Sequence, residues 1–528
     1  MHPVSAPVLF LGVEGAALIT MDDTQSAAVR SSGVARGLAP LVRGTGLFAG
    51  GTAVAFAFAG VRELVLARTL GVGASADLVL LAMSIPLAWA ASATALLDSV
   101  LLPSLASATT RRAATVLILV ERGLSVLLLA CSPVVLIVLV QPALRTAGGE
   151  GWASAGLVLL IAVGLFVSLG LMSFRIRCRL GRSQRFFLAG ALPAIPALGV
   201  IIGVAAMTVA GGMWWPPLGF LVGAGVAVSL AGPTRRLVAP TGPSGYGSSA
   251  QTWRYTWLYL RRSLPVTVGA MLFPVGASIN RVLASFGPVG TVASLEYATR
   301  VFNIPNTLVT VSVTAVLLPL RISKLPQRTT NDLYAHTFWS IVIMVPLACA
   351  LTALAPTIAR FLLGSNQDPV ALRAITLNTM GLAAGLPAIM VGNMRLRADQ
   401  AVKNYYTTLL CGGAFALATV AAGCVFVLTA IWALFGFAQT AGLAAFLAVV
   451  ASRGTNHVPR RYAHAALALA MAGGLGGACV GAALSGFGSN VLTLAGLAVG
   501  LGGWTIGLLT ATVAPRALRR AEPPPSKA

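Results

Sequence analysis

Apolar stretches of roughly 20 residues recur between about residues 45 and 513 of this chain, each long enough to cross the ~30 Å hydrocarbon core of a bilayer as an α-helix. Lipid offers no hydrogen bonds, so a spanning segment must pair its own backbone groups, and stretches of this length do so as helices. Only 9% of the 528 residues are charged and 57% are hydrophobic, whereas a soluble domain carries roughly 25% charged residues. The polar surface is too small to cover a water-soluble globule. The 57 Gly and 29 Pro residues suit membrane helices that pack closely and bend. The expected fold is an all-α polytopic membrane protein with about fourteen transmembrane helices. The spans are expected near 45–66, 77–105, 115–139, 153–174, 186–209, 214–231, 263–286, 292–320, 336–356, 374–394, 404–427, 430–451, 464–486 and 490–513.

A net charge of +23 invites a nucleic-acid reading, but the basic residues fall in short clusters between apolar spans, as the positive-inside rule describes. Arg111 and Arg112 follow span two. The set Arg175, Arg177, Arg179, Arg182 and Arg185 follows span four. Alternate loops continue with Arg235, Arg236, Arg254, Arg261 and Arg262, then Arg321, Lys324 and Arg328, then Arg395, Arg397 and Lys403, then Arg453, Arg460 and Arg461. The opposite loops hold Arg68, Arg145, Arg360 and Arg373. This asymmetry places both termini and every even-numbered loop in the cytoplasm. Trp253, Tyr255, Trp257 and Tyr259, interleaved with Arg254, Arg261 and Arg262, read either as an interfacial segment or as an ordinary aromatic belt.

A weak internal repeat organises the chain. Leu66–Gly73, Ser84-Ile85-Pro86 and Leu101-Leu102-Pro103 recur in order as Leu283–Gly290, Asn303-Ile304-Pro305 and Leu317-Leu318-Pro319. Spans one and two then correspond to spans seven and eight, in parallel orientation. The expected organisation is a cytoplasmic lead-in over 1–44, a first six-helix lobe over 45–231 and a linker with the interfacial segment over 232–262. A second six-helix lobe covers 263–451, two further helices 452–513 and a tail 514–528. Pro86 and Pro305 each fall inside a long span, remove a backbone hydrogen bond and bend the helix.

Ionisable groups within spans are costly and are candidates for function. Here they include Arg62, Glu63, Asp77, Asp98, Glu121, Arg122, Arg281, Glu296 and Arg300. At ~1.5 Å per residue, Arg300 lies roughly 12 Å below the outer face and Arg62 about one turn below it. Arg62, Arg281 and Arg300 come from equivalent hairpins and are expected to converge on a cavity, with Asp77 nearby. Glu63 and Glu296 would moderate the field, and Asp98 is placed near an inner gate. A cationic cavity asks for an anionic ligand, and guanidinium forks suit phosphate oxygens. The plainer alternative is local pairing, since Glu296 and Arg300 are one helical turn apart. No phosphate-binding Gly-rich loop, Ser-His-Asp set or metal-ligand pattern is found, so no catalytic, metal or cofactor site is expected. Any energy must come from an ion gradient, the membrane potential or downstream consumption of the product.

The residues Gly60–Asp77, together with Leu283-Ala284-Ser285-Phe286, Tyr297-Ala298-Thr299-Arg300, Pro305 and Val316-Leu317-Leu318-Pro319, resemble the MurJ/MviN lipid II flippases of the multidrug/oligosaccharidyl-lipid/polysaccharide exporter superfamily. The resemblance implies Arg62, Asp77 and Arg300 as cavity residues. It implies outward flipping of an undecaprenyl-pyrophosphate-linked saccharide, with cell-wall synthesis proteins and membrane lipids as partners and no nucleic acid. Two departures stand out. Phe56 replaces an arginine usual in the family, and Leu87–Thr94 replaces its basic pair and acidic-Gly-aromatic run. Alternatives are an exporter of another lipid-linked polysaccharide unit or metabolite, and a non-transporting membrane scaffold related to flippases. A cation-coupled drug antiporter of the superfamily would need an acidic cavity instead.

Overall fold

A computed structural model describes residues 47, 50–96, 139, 144, 152–183, 186–232, 249–306, 344, 347–348, 350–364, 368–401 and 405–453. All regular structure among them is helical. The lead-in, Asp98, Glu121, Arg122, Arg185 and the two expected C-terminal spans lie outside the described residues.

The first half comprises α1 (50–70), α2 (Ala74–Leu96), α3 (Trp152–Ser183), α4 (Phe186–Ala191), α5 (Ala194–Ala210) and α6 (Trp215–Ala231). The second comprises α7 (Ser249–Ser285), α8 (Thr291–Pro305), α9 (Ala350–Leu363), α10 (Pro369–Ala384), α11 (Leu386–Ala401), α12 (Tyr405–Leu428) and α13 (Phe435–Arg453), with a 3₁₀ turn at Trp432–Leu434. Among the described residues, five segments are long and apolar enough to cross a membrane: Trp152–Ile176, Leu264–Ser285, Pro369–Asn393, Tyr406–Leu428 and Trp432–Val450. The chain is a membrane protein.

Several boundaries differ from those expected. Helix α1 runs on to residue 70 and α2 starts at Ala74, so the first hairpin is tighter. The expected span over 186–209 is two helices, divided at Leu192-Pro193, because Pro193 has no N–H to continue the ladder. The expected span over 374–394 starts earlier, at Pro369, where the Asp368 side chain accepts Val370 N–H at 2.9 Å as an N-cap. It breaks at Gly385, where Pro387 leaves the carbonyl of Ala383 without its usual donor. The Arg-rich stretch after span four is helical through Ser183, so α3 is about 48 Å long. The segment from residue 249 is likewise continuous with span seven, and α7 reaches about 55 Å. Both exceed the ~30 Å core, because arginine sustains a helix in water as well as in lipid.

Close packing follows the glycines. A Cβ at Gly199 would collide with the Gly219 carbonyl, and one at Gly223 would lie 2.7 Å from Pro196 Cα, so α5 and α6 touch through bare backbone. Helices α7 and α12 meet likewise at Gly269 and Gly412, and a Cβ at Gly276 would lie 2.8 Å from Ala416 Cα. Helix α2 is buried from Ala76 to Pro86 and packs on α3 and on α7. One apolar core takes Leu66, Leu78 and Leu81 from the first half and Ala284, Val292 and Phe435 from the second. A second core gathers Phe302, Leu382, Phe415 and Phe446 within the second half. Pro86 stands in the buried part of α2, and Pro305 is followed by a π-helical residue at Asn306, the last described residue of this segment.

Candidate functional site

The two hairpins meet turn against turn. Gly71 (φ 60°) and Gly290 (φ 91°) adopt left-handed backbone that lets each chain reverse tightly. Gly290 is the N-cap of α8 but has no side chain to satisfy that helix's first N–H groups. Asp77, in the first turn of α2, supplies the cap instead. Its carboxylate accepts Gly290 N–H at 2.8 Å and Ala293 N–H at 2.7 Å. The negative charge also meets the positive end of the α8 dipole. Tyr297 Oη donates to the Gly71 carbonyl at 3.0 Å, and Val72 Cγ1 fills the place where a Gly290 side chain would start. This end of the bundle is closed by polar clamps over a shared apolar core.

Deeper between the same hairpins lies an ionic network. Arg62 Nε donates to Glu63 Oε1 at 2.8 Å, and Arg62 Nη2 pairs with the same oxygen. Arg300 Nη1 approaches Glu63 Oε1 at 3.4 Å, and its Nε lies 3.6 Å from Glu296 Oε2. Glu296 Oε1 pairs with Arg281 Nε. All five side chains are nearly or wholly buried. Arg62 also lies over the Phe220 ring, 5.5 Å from its centroid, which adds a favourable contact for the cation.

Helix lengths explain why these groups converge. Measured down α1 from residue 70, Arg62 lies about 12 Å along the axis, and Arg300 lies about 13 Å along α8 from Thr291. The longer α1 therefore carries Arg62 deeper than the expected single turn and matches it to Arg300. Arg281 and Glu296 form a shallower tier, about 6 to 8 Å from the same ends. Arg62, Glu63, Arg281, Glu296 and Arg300 are thus brought together. Asp77 is held by the α8 backbone.

Some contributors were not singled out from the sequence. Tyr297 had no assigned role, and Phe220 lies on a distant helix. Asn280 Nδ2 donates to the Phe435 carbonyl at 3.2 Å, and Asn378 Oδ1 accepts Gly436 N–H at 2.7 Å. An amide inside an apolar span was the signal for both, since a buried polar group must find a partner.

Chemically, the network is a set of guanidinium forks held by carboxylates. Such forks bind carboxylate and phosphate oxygens in the same geometry, so one class of anion can replace the other.

The sequence profile described as "Lipid II flippase MurJ" matches residues 66–472. Among solved structures, the fold is similar to a lipid II flippase MurJ in an inward closed conformation, with 19% identity and a TM-score of 0.64 over 87% of this chain and 98% of that one. An inward-facing multidrug resistance MATE family transporter, described as belonging to the MOP superfamily, is 13% identical, covering 82% of this chain and 96% of its own with a TM-score of 0.54. A superfamily transporter from Pyrococcus furiosus, described as having a binding pocket of reversed polarity, is 14% identical with a TM-score of 0.52 over 84% of this chain and 96% of that one. No curated protein matches the chain.

Proposed function

Since the chain belongs to the lipid II flippase MurJ family, we propose that it translocates an undecaprenyl-pyrophosphate-linked saccharide, lipid II or a similar peptidoglycan precursor, across the bacterial cytoplasmic membrane. The observation that carries the reading is the meeting of three buried guanidiniums, one from α1, one from α7 and one from α8, with two carboxylates between them.

In this reading the hairpin end faces outward, as the loop charges suggest, and the chamber loads from the cytoplasm. The headgroup's phosphate oxygens take the guanidinium N–H groups from Glu63 and Glu296, while the lipid tail stays in the bilayer. Loss of the Glu63–Arg300 contact loosens the two hairpins from each other. Release of Asp77 and Tyr297 from the facing hairpin then opens the outer end, and the first and second halves rock about the bound headgroup. The acids reclaim the arginines as cargo leaves. The driving force is the membrane potential acting on the anionic headgroup, or an ion gradient. Proteins that polymerise the delivered saccharide are the fitting partners.

Vesicles containing the protein and labelled lipid-linked substrate test this directly. Arg300→Ala and Arg62→Ala should each abolish flipping while the protein remains inserted. A full rate in both variants would falsify the mechanism. Complementation of a strain depleted of its own lipid II flippase tests the substrate. Phe56 and the uncharged Leu87–Thr94 stretch favour a second reading, export of a different polyprenyl-linked glycan. Failed complementation alongside retained binding of another lipid-linked saccharide would select it.

A further inference from the structure

Glu296 and Glu63 occupy matching positions. Each carboxylate lies between two guanidiniums, and Arg300 serves both: its Nη1 faces Glu63 at 3.4 Å and its Nε faces Glu296 at 3.6 Å. Arg62 completes the deeper site and Arg281 the shallower one. Glu296 is entirely buried, and the Arg281 side chain is 7% exposed. Three atoms in these sites lack a hydrogen-bond partner among the described residues: Arg281 Nη1 and the carboxylate oxygens Glu63 Oε2 and Glu296 Oε2. A buried guanidinium N–H with nothing to donate to is costly, and its persistence points to a ligand that uses it.

We propose that the two carboxylates mark two phosphate subsites, and that Arg281 with Glu296 forms the subsite that distinguishes a diphosphate from a monophosphate. The proposal rests on the reading of the chain as a carrier of a phosphate-linked lipid. One phosphate replaces Glu63 between Arg62 and Arg300. The second replaces Glu296 between Arg300 and Arg281, and takes the open N–H at Arg281 Nη1. The subsites are stacked along the hairpin, roughly 6 Å apart by helix rise, a separation that two linked phosphates reach with their outer oxygens. A single phosphate engages only the deeper, Arg62 side. Arg300 belongs to both sites, so its loss cannot separate them. Arg281 and Arg62 can.

The test is binding of two probes to the full-length protein in detergent: a short-chain polyprenyl diphosphate sugar and the matching polyprenyl monophosphate sugar. The wild type should prefer the diphosphate by about tenfold or more, as expected for one added charge-assisted contact. Arg281→Gln should erase that preference by weakening the diphosphate alone. Arg62→Gln should weaken both probes together. Arg281→Gln leaves Glu296 short of a partner, so the double variant Arg281→Gln, Glu296→Gln guards against misfolding, and it should lose the preference with its thermal midpoint kept. An unchanged diphosphate-to-monophosphate ratio in both Arg281 variants overturns the subsite, as does equal binding of both probes by the wild type. A wild type that binds neither probe instead removes the lipid-carrier reading on which the subsite stands.

Discussion

Asp77 caps a helix that begins more than two hundred residues further along the chain, its carboxylate accepting Ala293 N–H at 2.7 Å. The same carboxylate holds Gly290 N–H, so one side chain from the first hairpin fastens the start of α8. Replacing Asp77 with Ala leaves two buried donors open, at about 1–3 kcal/mol each. A cysteine placed at Val72 should then react with a water-soluble maleimide at least about tenfold faster than in the Asp77-containing background. Equal labelling rates would count against a latch at this position.

Gly290 is constrained twice, by φ 91° and by Val72 Cγ1 at the place of its missing side chain. Gly290→Ala should lower stability by about 1–2 kcal/mol through the left-handed backbone alone, with a further contribution from the contact. Gly73→Ala, where nothing lies within 4 Å and no left-handed angle is needed, is the control. Thermal melting in detergent separates the two, and similar midpoints would contradict the assigned clamp.

Arg300 serves two carboxylates with different edges of one planar group. Lysine keeps the charge but loses the fork. Arg300→Lys should therefore insert normally and flip substrate at roughly a tenth of the wild-type rate or less. A lysine variant with full activity would show that charge alone suffices.

Helices α5 and α6 touch where Gly219 faces the Gly199 carbonyl. Gly219→Ala forces the backbones apart and should cost about 1–3 kcal/mol. Gly225→Ala, on the same helix with nothing within 4 Å, should be neutral or slightly stabilising. If both variants melt alike, the close crossing is not what holds this pair.

Much of this arrangement was legible in the residues. The apolar runs announced helices, and Glu296 with Arg300 announced a pair at helical spacing that the structure places at 3.6 Å. The involvement of Arg281 followed from the repeat, although its partner did not. Helix ends were harder to read. Arg68 resembled a boundary residue, yet it lies within α1 and reaches outward, its guanidinium 5.7 Å from the Phe361 ring centroid. That longer helix is why Arg62 sits at the level of Arg300. The role of Asp77 could not be read locally, because the N–H groups that it satisfies belong to a distant segment. Its carboxylate is engaged by backbone at the turns. Asp98, expected near an inner gate, lies outside the described residues.

The bare-backbone crossings of α5 with α6 and of α7 with α12 have a dynamic consequence. Where no side chain separates two helices, none can change rotamer to absorb strain, so each pair travels as one stiff rod or stays still. Bending is left to a few joints, among them Pro193 and Gly385. Changes at those joints should alter how often the molecule turns over and leave largely untouched how tightly it grips.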